Sequence, residues 1–202
     1  FRYDKRGVGD SEGLFIEIAD LGNQTSEWRL PQLAGDALAA VTFLQNLEEI
    51  RPDQIGLMGG SQNGWTIPLA ASQSAAPAFA VVVSGATVSL GEEDLFSGLT
   101  EDVDPLPDDE NLRAELSAKL AGFDGVRGFD PRDALEAMSI PGLWIMGDRD
   151  GSMPARESRA ILESIIADFD KEFTLLYLPD AGHRLDVPMD ETVQWITDQI
   201  EE

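Results

Sequence analysis

Apolar runs of strand length alternate along this chain with stretches in which apolar residues recur every three or four positions. Residues 33–50 repeat Leu38, Val41, Leu44 and Leu47 at the spacing of an amphipathic helix. Residues 54–58 (QIGLM) read as a short buried strand, and Gly59 opens a turn after it. Residues 61–74 are Ala-rich and helical, with Pro68 either kinking the helix or marking where its regular ladder begins. Strands follow over 79–83 (FAVVV), 142–146 (GLWIM) and 173–178 (FTLLYL), with a helix over 155–166. Asp190 is placed to cap a last helix through Ile200, with Val193, Ile196 and Ile200 near one face. Strands and helices at this spacing predict an α/β fold, a doubly wound, mostly parallel sheet covered on both faces.

Two segments depart from that rhythm. Residues 1–4 read as the end of a strand and residues 5–13 (KRGVGDSEG) as a Gly-rich loop, so the leading strands of the sheet are expected to precede Phe1. Residues 84–140 separate the second and third strands by a distance too long for a structureless loop. The first half of this stretch is acidic and carries Pro105 and Pro107. The second half holds a helix over 111–120, started by Asp108, Asp109 and Glu110. Residues 85–139 are therefore expected to form a cap inserted over the carboxyl edge of a single domain spanning 1–202.

Composition removes several functions. Lys and Arg number 14 against 38 Asp and Glu, a net charge of −24, and such a field repels nucleic-acid backbones and anionic lipid surfaces. With no Cys and one His, a disulfide framework or a thiolate and imidazole zinc site is excluded. No apolar run approaches the roughly 20 residues of a membrane-spanning helix. The carboxylate excess fits a surface adapted to high salt, where screening relieves repulsion, and equally an ordinary acidic protein. Compartment and oligomeric state stay open.

The chemistry concentrates at three strand ends. In Gly59-Gly60-Ser61-Gln62-Asn63-Gly64 a serine sits between a strand and a helix, flanked by small residues where backbones must crowd. Such a turn exposes Ser61 above the sheet and aims the Gln62 backbone N–H, at a helix N-terminus, toward a developing oxyanion. Serine needs a base at neutral pH, and the lone histidine, His183, follows the last strand in Pro179-Asp180-Ala181-Gly182-His183. The base needs an acid to orient it, and Gly147-Asp148-Arg149-Asp150 offers two after the third strand, of which Asp150 is chosen. Any one of these residues alone has a structural explanation, as a capping Asp or a core His. Their order, Ser61 then Asp150 then His183 on strand ends of one sheet, is what makes the set specific. Trp65, Phe96, Met153 and Leu185 are candidates to line a substrate pocket, with packing in the core as the competing reading.

These motifs resemble the α/β-hydrolase superfamily, in particular bacterial serine hydrolases with Tyr-Asp-Lys-Arg-Gly-Val-Gly after the fourth strand, here Tyr3 to Gly9. Residues 59–65, Val83-Ser84-Gly85, Gly147 through Asp150 with Pro154, and Gly182-His183 extend the resemblance over most of the chain outside the insertion. It implies a Ser61, Asp150, His183 triad in an esterase, thioesterase or serine peptidase, with no metal or organic cofactor and a small ester or peptide as substrate. Two departures stand out. Asn63 occupies a position that is Gly or Ala in the family and is expected to loosen the turn. The loop that donates a second oxyanion amide in the family has no counterpart here, so the chain is expected to be part of a longer enzyme. Two alternatives to ester hydrolysis remain, an oligopeptidase-like peptide hydrolase and a non-catalytic binding protein on the same fold.

Overall fold

The computed structural model describes residues 1–15, 25–101 and 103–201. Four strands, β1 (Leu57–Gly60), β2 (Ala80–Val83), β3 (Gly142–Gly147) and β4 (Phe173–Leu178), form one sheet in the order β1-β2-β3-β4. All three pairings are parallel, with Val82 opposite Trp144 and Trp144 opposite Leu175. Parallel neighbours require crossovers, and the helices α1 (Thr25–Gln45), α2 (Asn63–Gln73), α3 (Leu90–Thr100), α4 (Glu110–Ala121), α5 (Arg132–Ala137), α6 (Ala155–Phe169) and α7 (Met189–Glu201) lie among them.

Strand alternation divides the core into two layers. Ala80, Val82, Trp144 and Met146 face Leu30 and Leu33 of α1, Trp65 and Ile67 of α2, Leu135 of α5 and Leu162 of α6. Phe79, Val81, Leu143 and Ile145 face the opposite way, onto Trp195, Ile196 and Ile200 of α7. Both sides of the sheet are thus covered, which is why β2 and β3 read as continuous apolar runs. Phe96, Leu106, Leu116 and Leu120 make a separate small core between α3 and α4.

Several boundaries differ from the sequence-based expectations. Residues 1–4 form no strand, because no neighbouring strand offers them a ladder among the described residues. Helix α1 starts before position 33, runs through Pro31 and stops at Gln45 instead of residue 50. Its end is set locally: the Asn46 side chain donates to the Thr42 carbonyl at 2.7 Å, and Leu47 and Ile50 are 36 % and 38 % exposed, so a further turn would bury little. Strand β1 lies at 57–60 rather than 54–58, and α2 begins at Asn63, continuing through Pro68. Asp190 is inside the first turn of α7 and not its cap, and Val193 is exposed while Trp195 takes the buried face.

The acidic half of the 84–140 stretch, in which no element was expected, contains α3. Ser89 accepts from the Glu92 N–H and the Glu92 carboxylate accepts from the Ser89 N–H, a reciprocal cap at the helix start. Asp109 caps α4 by accepting from Asn111 and Leu112 N–H. No helix among the described residues is long and apolar enough to cross a membrane.

Candidate active site

The chain turns sharply after β1. Ser61 adopts φ 54°, a left-handed conformation that costs a non-glycine residue about 1–3 kcal/mol. The strain is held on both sides: the Ser61 N–H donates to Val83 O at 2.9 Å and its carbonyl accepts from Gly64 N–H at 2.9 Å. Gln62 is already helical and precedes α2. Asn63 fits the turn because Gly59 has no side chain. A Cβ on Gly59 would meet Asn63 Nδ2 at 2.5 Å, and Asn63 Nδ2 donates to Gly60 O at 3.1 Å. The turn is therefore not loosened by Asn63. Gly64 sits against Gly85 and Ala86 so closely that a Cβ there would lie 2.5 Å from Ala86 O, which brings α2 tight against the end of β2.

Asp150 and His183 reach this serine from the ends of β3 and β4. Asp150 is 1 % exposed and its Oδ1 accepts from the Ser152 and Met153 N–H groups, each at 2.8 Å. Its Oδ2 lies 2.9 Å from His183 Nδ1, and His183 Nε2 lies 3.2 Å from Ser61 Oγ. The carboxylate fixes the tautomer: Nδ1 carries the proton donated to Asp150, leaving Nε2 to accept from the serine hydroxyl. The hydrogen bond that His183 donates to Asp150 holds the His183 pKa above its ordinary value against burial, and the charges of Asp150, Asp104 and Glu93 act in the same direction. A hydroxyl, an imidazole and a buried carboxylate linked in this order can move a proton away from the hydroxyl as its oxygen attacks.

Asp148, the other acid considered, is engaged elsewhere. It accepts from Arg113 Nη1 and the Tyr177 hydroxyl, both at 2.6 Å, and from Arg156 Nε at 3.1 Å. Burial raises its pKa, but Arg156, Tyr177 and Arg113 together bring it below the ordinary value. Tyr177 in turn is pushed upward by burial and by this carboxylate.

The four pocket candidates are packed in cores. Trp65 and Met153 belong to the layer under α2 and α6, with Trp65 Nε1 donating to Val88 O at 2.9 Å. Phe96 lies in the α3–α4 core, and Leu185 packs against the layer covered by α7. Aromatic and Met side chains near strand ends have filled the interior here because burial rewards them more than a wetted wall would.

Three residues beside the site were not singled out as functional. Lys5 Nζ donates to Gln62 Oε1 at 2.6 Å, and its neighbour Arg6 is anchored to α1 by an ion pair with Asp36. Ser84 Oγ donates to the His183 carbonyl at 2.8 Å, and Asp104 accepts from the His183 N–H at 2.6 Å. Tyr3 to Gly9 and Val83-Ser84-Gly85 were visible as motifs, but nothing local tied Lys5 or Ser84 to a partner. Asp104 had no signal at all. Among the described residues no group of three or more His, Cys, Asp or Glu is arranged to hold a metal ion.

Solved structures with similar folds come from several hydrolases. An acylaminoacyl peptidase from Pyrococcus horikoshii matches at 20 % identity and a TM-score of 0.56, over 80 % of this chain and 26 % of its own. An acetyl xylan esterase from Thermoanaerobacterium matches at 17 % identity and a TM-score of 0.63, over 97 % of this chain and 64 % of its own. A puromycin-hydrolysing peptidase from Mycobacterium tuberculosis matches at 19 % identity and a TM-score of 0.53, over 84 % of this chain and 24 % of its own. The chain thus spans about a quarter of each peptidase and just under two thirds of the esterase. No curated protein matches it in sequence. The parallel sheet flanked by helices is the fold these neighbours share with the chain. Residues 32–201 match the prolyl oligopeptidase family, and to that family the chain belongs.

Proposed function

We propose that this chain carries out acyl transfer to water through Ser61, His183 and Asp150. The observation that carries the reading is the continuous relay from Ser61 Oγ to His183 Nε2 and from His183 Nδ1 to buried Asp150. His183 takes the hydroxyl proton as Ser61 Oγ attacks the substrate carbonyl, and Asp150 stabilises the imidazolium. The Gln62 N–H at the start of α2 helps to hold the oxyanion. Collapse of the tetrahedral adduct breaks the bond to the leaving group, which departs with the proton from His183. Water then repeats the cycle on the acyl-enzyme, releasing the acid and restoring the serine hydroxyl. The segment between β2 and β3 serves as the cap over this end of the sheet.

Carboxylic esters or thioesters are the substrates assigned, since their leaving groups ask least of the acid step. A second reading, hydrolysis of short peptides, is favoured by the family match over residues 32–201. Labelling of the intact protein by a fluorophosphonate, abolished in Ser61→Ala, tests the chemistry. A folded protein that never labels is a binding protein instead. Comparison of p-nitrophenyl acetate with aminoacyl p-nitroanilides then separates the substrates: a kcat/KM greater for the anilides overturns the ester assignment.

A further inference from the structure

The backbone of His183 is held on both sides of its Cα. Its carbonyl accepts from Ser84 Oγ at the end of β2, and its N–H donates to Asp104 Oδ1, a residue of the segment joining α3 to α4. The same Asp104 oxygen accepts from Gly151 N–H at 3.2 Å, and Oδ2 accepts from Arg184 N–H at 3.3 Å. One carboxylate therefore ties the loop that carries Asp150 to the loop that carries His183.

The surrounding contacts make this a fastening rather than an isolated bond. Thr100 Oγ1 donates to Gly151 O at 2.5 Å, Leu106 N–H donates to Arg149 O at 2.7 Å, and Arg149 Nε returns a bond to Leu106 O at 2.6 Å. Gly182 lets Asp104 approach, since a Cβ at that position would collide with Asp104 Oδ1. Leu106 is rooted in the α3–α4 core, so Asp104 is carried by a packed support.

We propose that Asp104 is a positioning residue for the triad: it fixes the His183 backbone against the Asp150 loop and thereby aims Nε2 at Ser61. This rests on the acyl-transfer reading above. Among the described residues the side chain of His183 bonds to Asp150 and Ser61, so a rotation of its backbone is transmitted to Nε2, the ring atom facing Ser61. Apart from Ser84, Asp104 is what stops that rotation. Its charge adds a second effect. Asp150, Asp104 and Glu93 are the carboxylates that favour protonated His183, while nearby Lys5 and Arg149 are turned to Gln62 Oε1 and Leu106 O. Asp104 contributes to the basicity of the histidine as well as to its aim.

The test is the second-order rate of fluorophosphonate labelling of the intact protein across about pH 5 to 9, with thermal midpoints, for wild type, Asp104→Ala, Asp104→Asn and Ser61→Ala. Asp104→Ala is expected to label about 10- to 100-fold more slowly, the loss that follows misplacement of a catalytic group. Asp104→Asn keeps an acceptor oxygen and loses the charge. It is expected to recover most of the rate while the acid limb moves to lower pH. Asp104→Ala labelling at the wild-type rate overturns the proposal, as does an equal loss in both variants with the limb unmoved. A wild type that fails to label, or a Ser61→Ala that still labels, overturns the triad reading and this one with it, which separates the two failures.

Discussion

The Tyr177 hydroxyl donates to Asp148 Oδ1 at 2.6 Å, and with Arg113 and Arg156 it turns Asp148 away from the histidine that Asp150 serves two residues later. Arg113 is 6 % exposed, and without Asp148 it keeps the longer pairs to the exposed Asp108 and Glu110, at 3.3 and 3.1 Å, so the loss is expected to stay below the about 3–5 kcal/mol of a buried cation left with no partner. Asp148→Ala is expected to lower the denaturation midpoint while its folded fraction still labels. Asp150→Asn is expected to keep much of the stability and label about 10⁴-fold more slowly. Side-by-side denaturation and labelling of the two variants checks this. The reverse pattern would exchange the roles of the two acids.

Asp148 also sets an acid limit. Its pKa is lowered from 3.8 in the folded chain, so its stabilisation is fully present above the unfolded value and is lost as pH falls through the folded one. Acid titration should find the wild type losing stability below about pH 4 more steeply than Asp148→Asn.

Activity should fall as pH drops through the His183 pKa, because the protonated ring cannot accept the Ser61 proton. That pKa is raised from 6.5, so the acid limb of the labelling rate should lie above pH 6.5. For folding the sign is opposite to that of Asp148: the contribution of His183 is fully present below the unfolded value and is lost as pH rises through the folded one. Glu93→Gln removes one carboxylate facing the ring and should shift the limb to lower pH without changing the alkaline plateau. An unchanged limb would remove Glu93 from the electrostatics of the site.

Gly64→Ala places a methyl group 2.5 Å from Ala86 O and 2.6 Å from Ala86 N, backbone atoms that cannot rotate aside. Helix α2 must retreat from the end of β2, at a cost of about 1–3 kcal/mol, and the Ser61 turn moves with it. Both the thermal midpoint and the labelling rate should drop. Gly35→Ala is the control, because a Cβ there meets nothing within 4 Å.

The net charge of −24 predicts salt dependence. Repulsion among surface carboxylates weakens as the screening length falls to about 3 Å at 1 M salt. The denaturation midpoint is expected to rise between low and molar KCl. A flat or falling midpoint would remove the saline reading of the composition.

The strands were legible because β2 and β3 are apolar on both faces and end in Gly or Ser turns. Helix α3 was less so, since the acids Glu92, Glu93 and Asp94 obscure the apolar face that buries Leu90 and Phe96. Its cap, Ser89 with Glu92, was readable in the same residues. The pocket candidates were not decidable from sequence for a different reason: Trp65 or Phe96 as a residue type is equally suited to a wall or a core, and only its neighbours decide.

Ser61, Asp150 and His183 could be proposed from sequence because each stands just beyond a strand, in a turn whose small residues and chain order are local properties. Deciding between Asp148 and Asp150 required Arg113, 35 residues away, and Tyr177, 29 away, to occupy one of them. The partner of the His183 N–H, Asp104, is 79 residues distant and reaches it only because the α3–α4 core sets that segment across the sheet ends. Turn chemistry is written in neighbouring residues and can be read from them. The choice of partner for a charge is made by packing, which brings together positions that no local pattern relates.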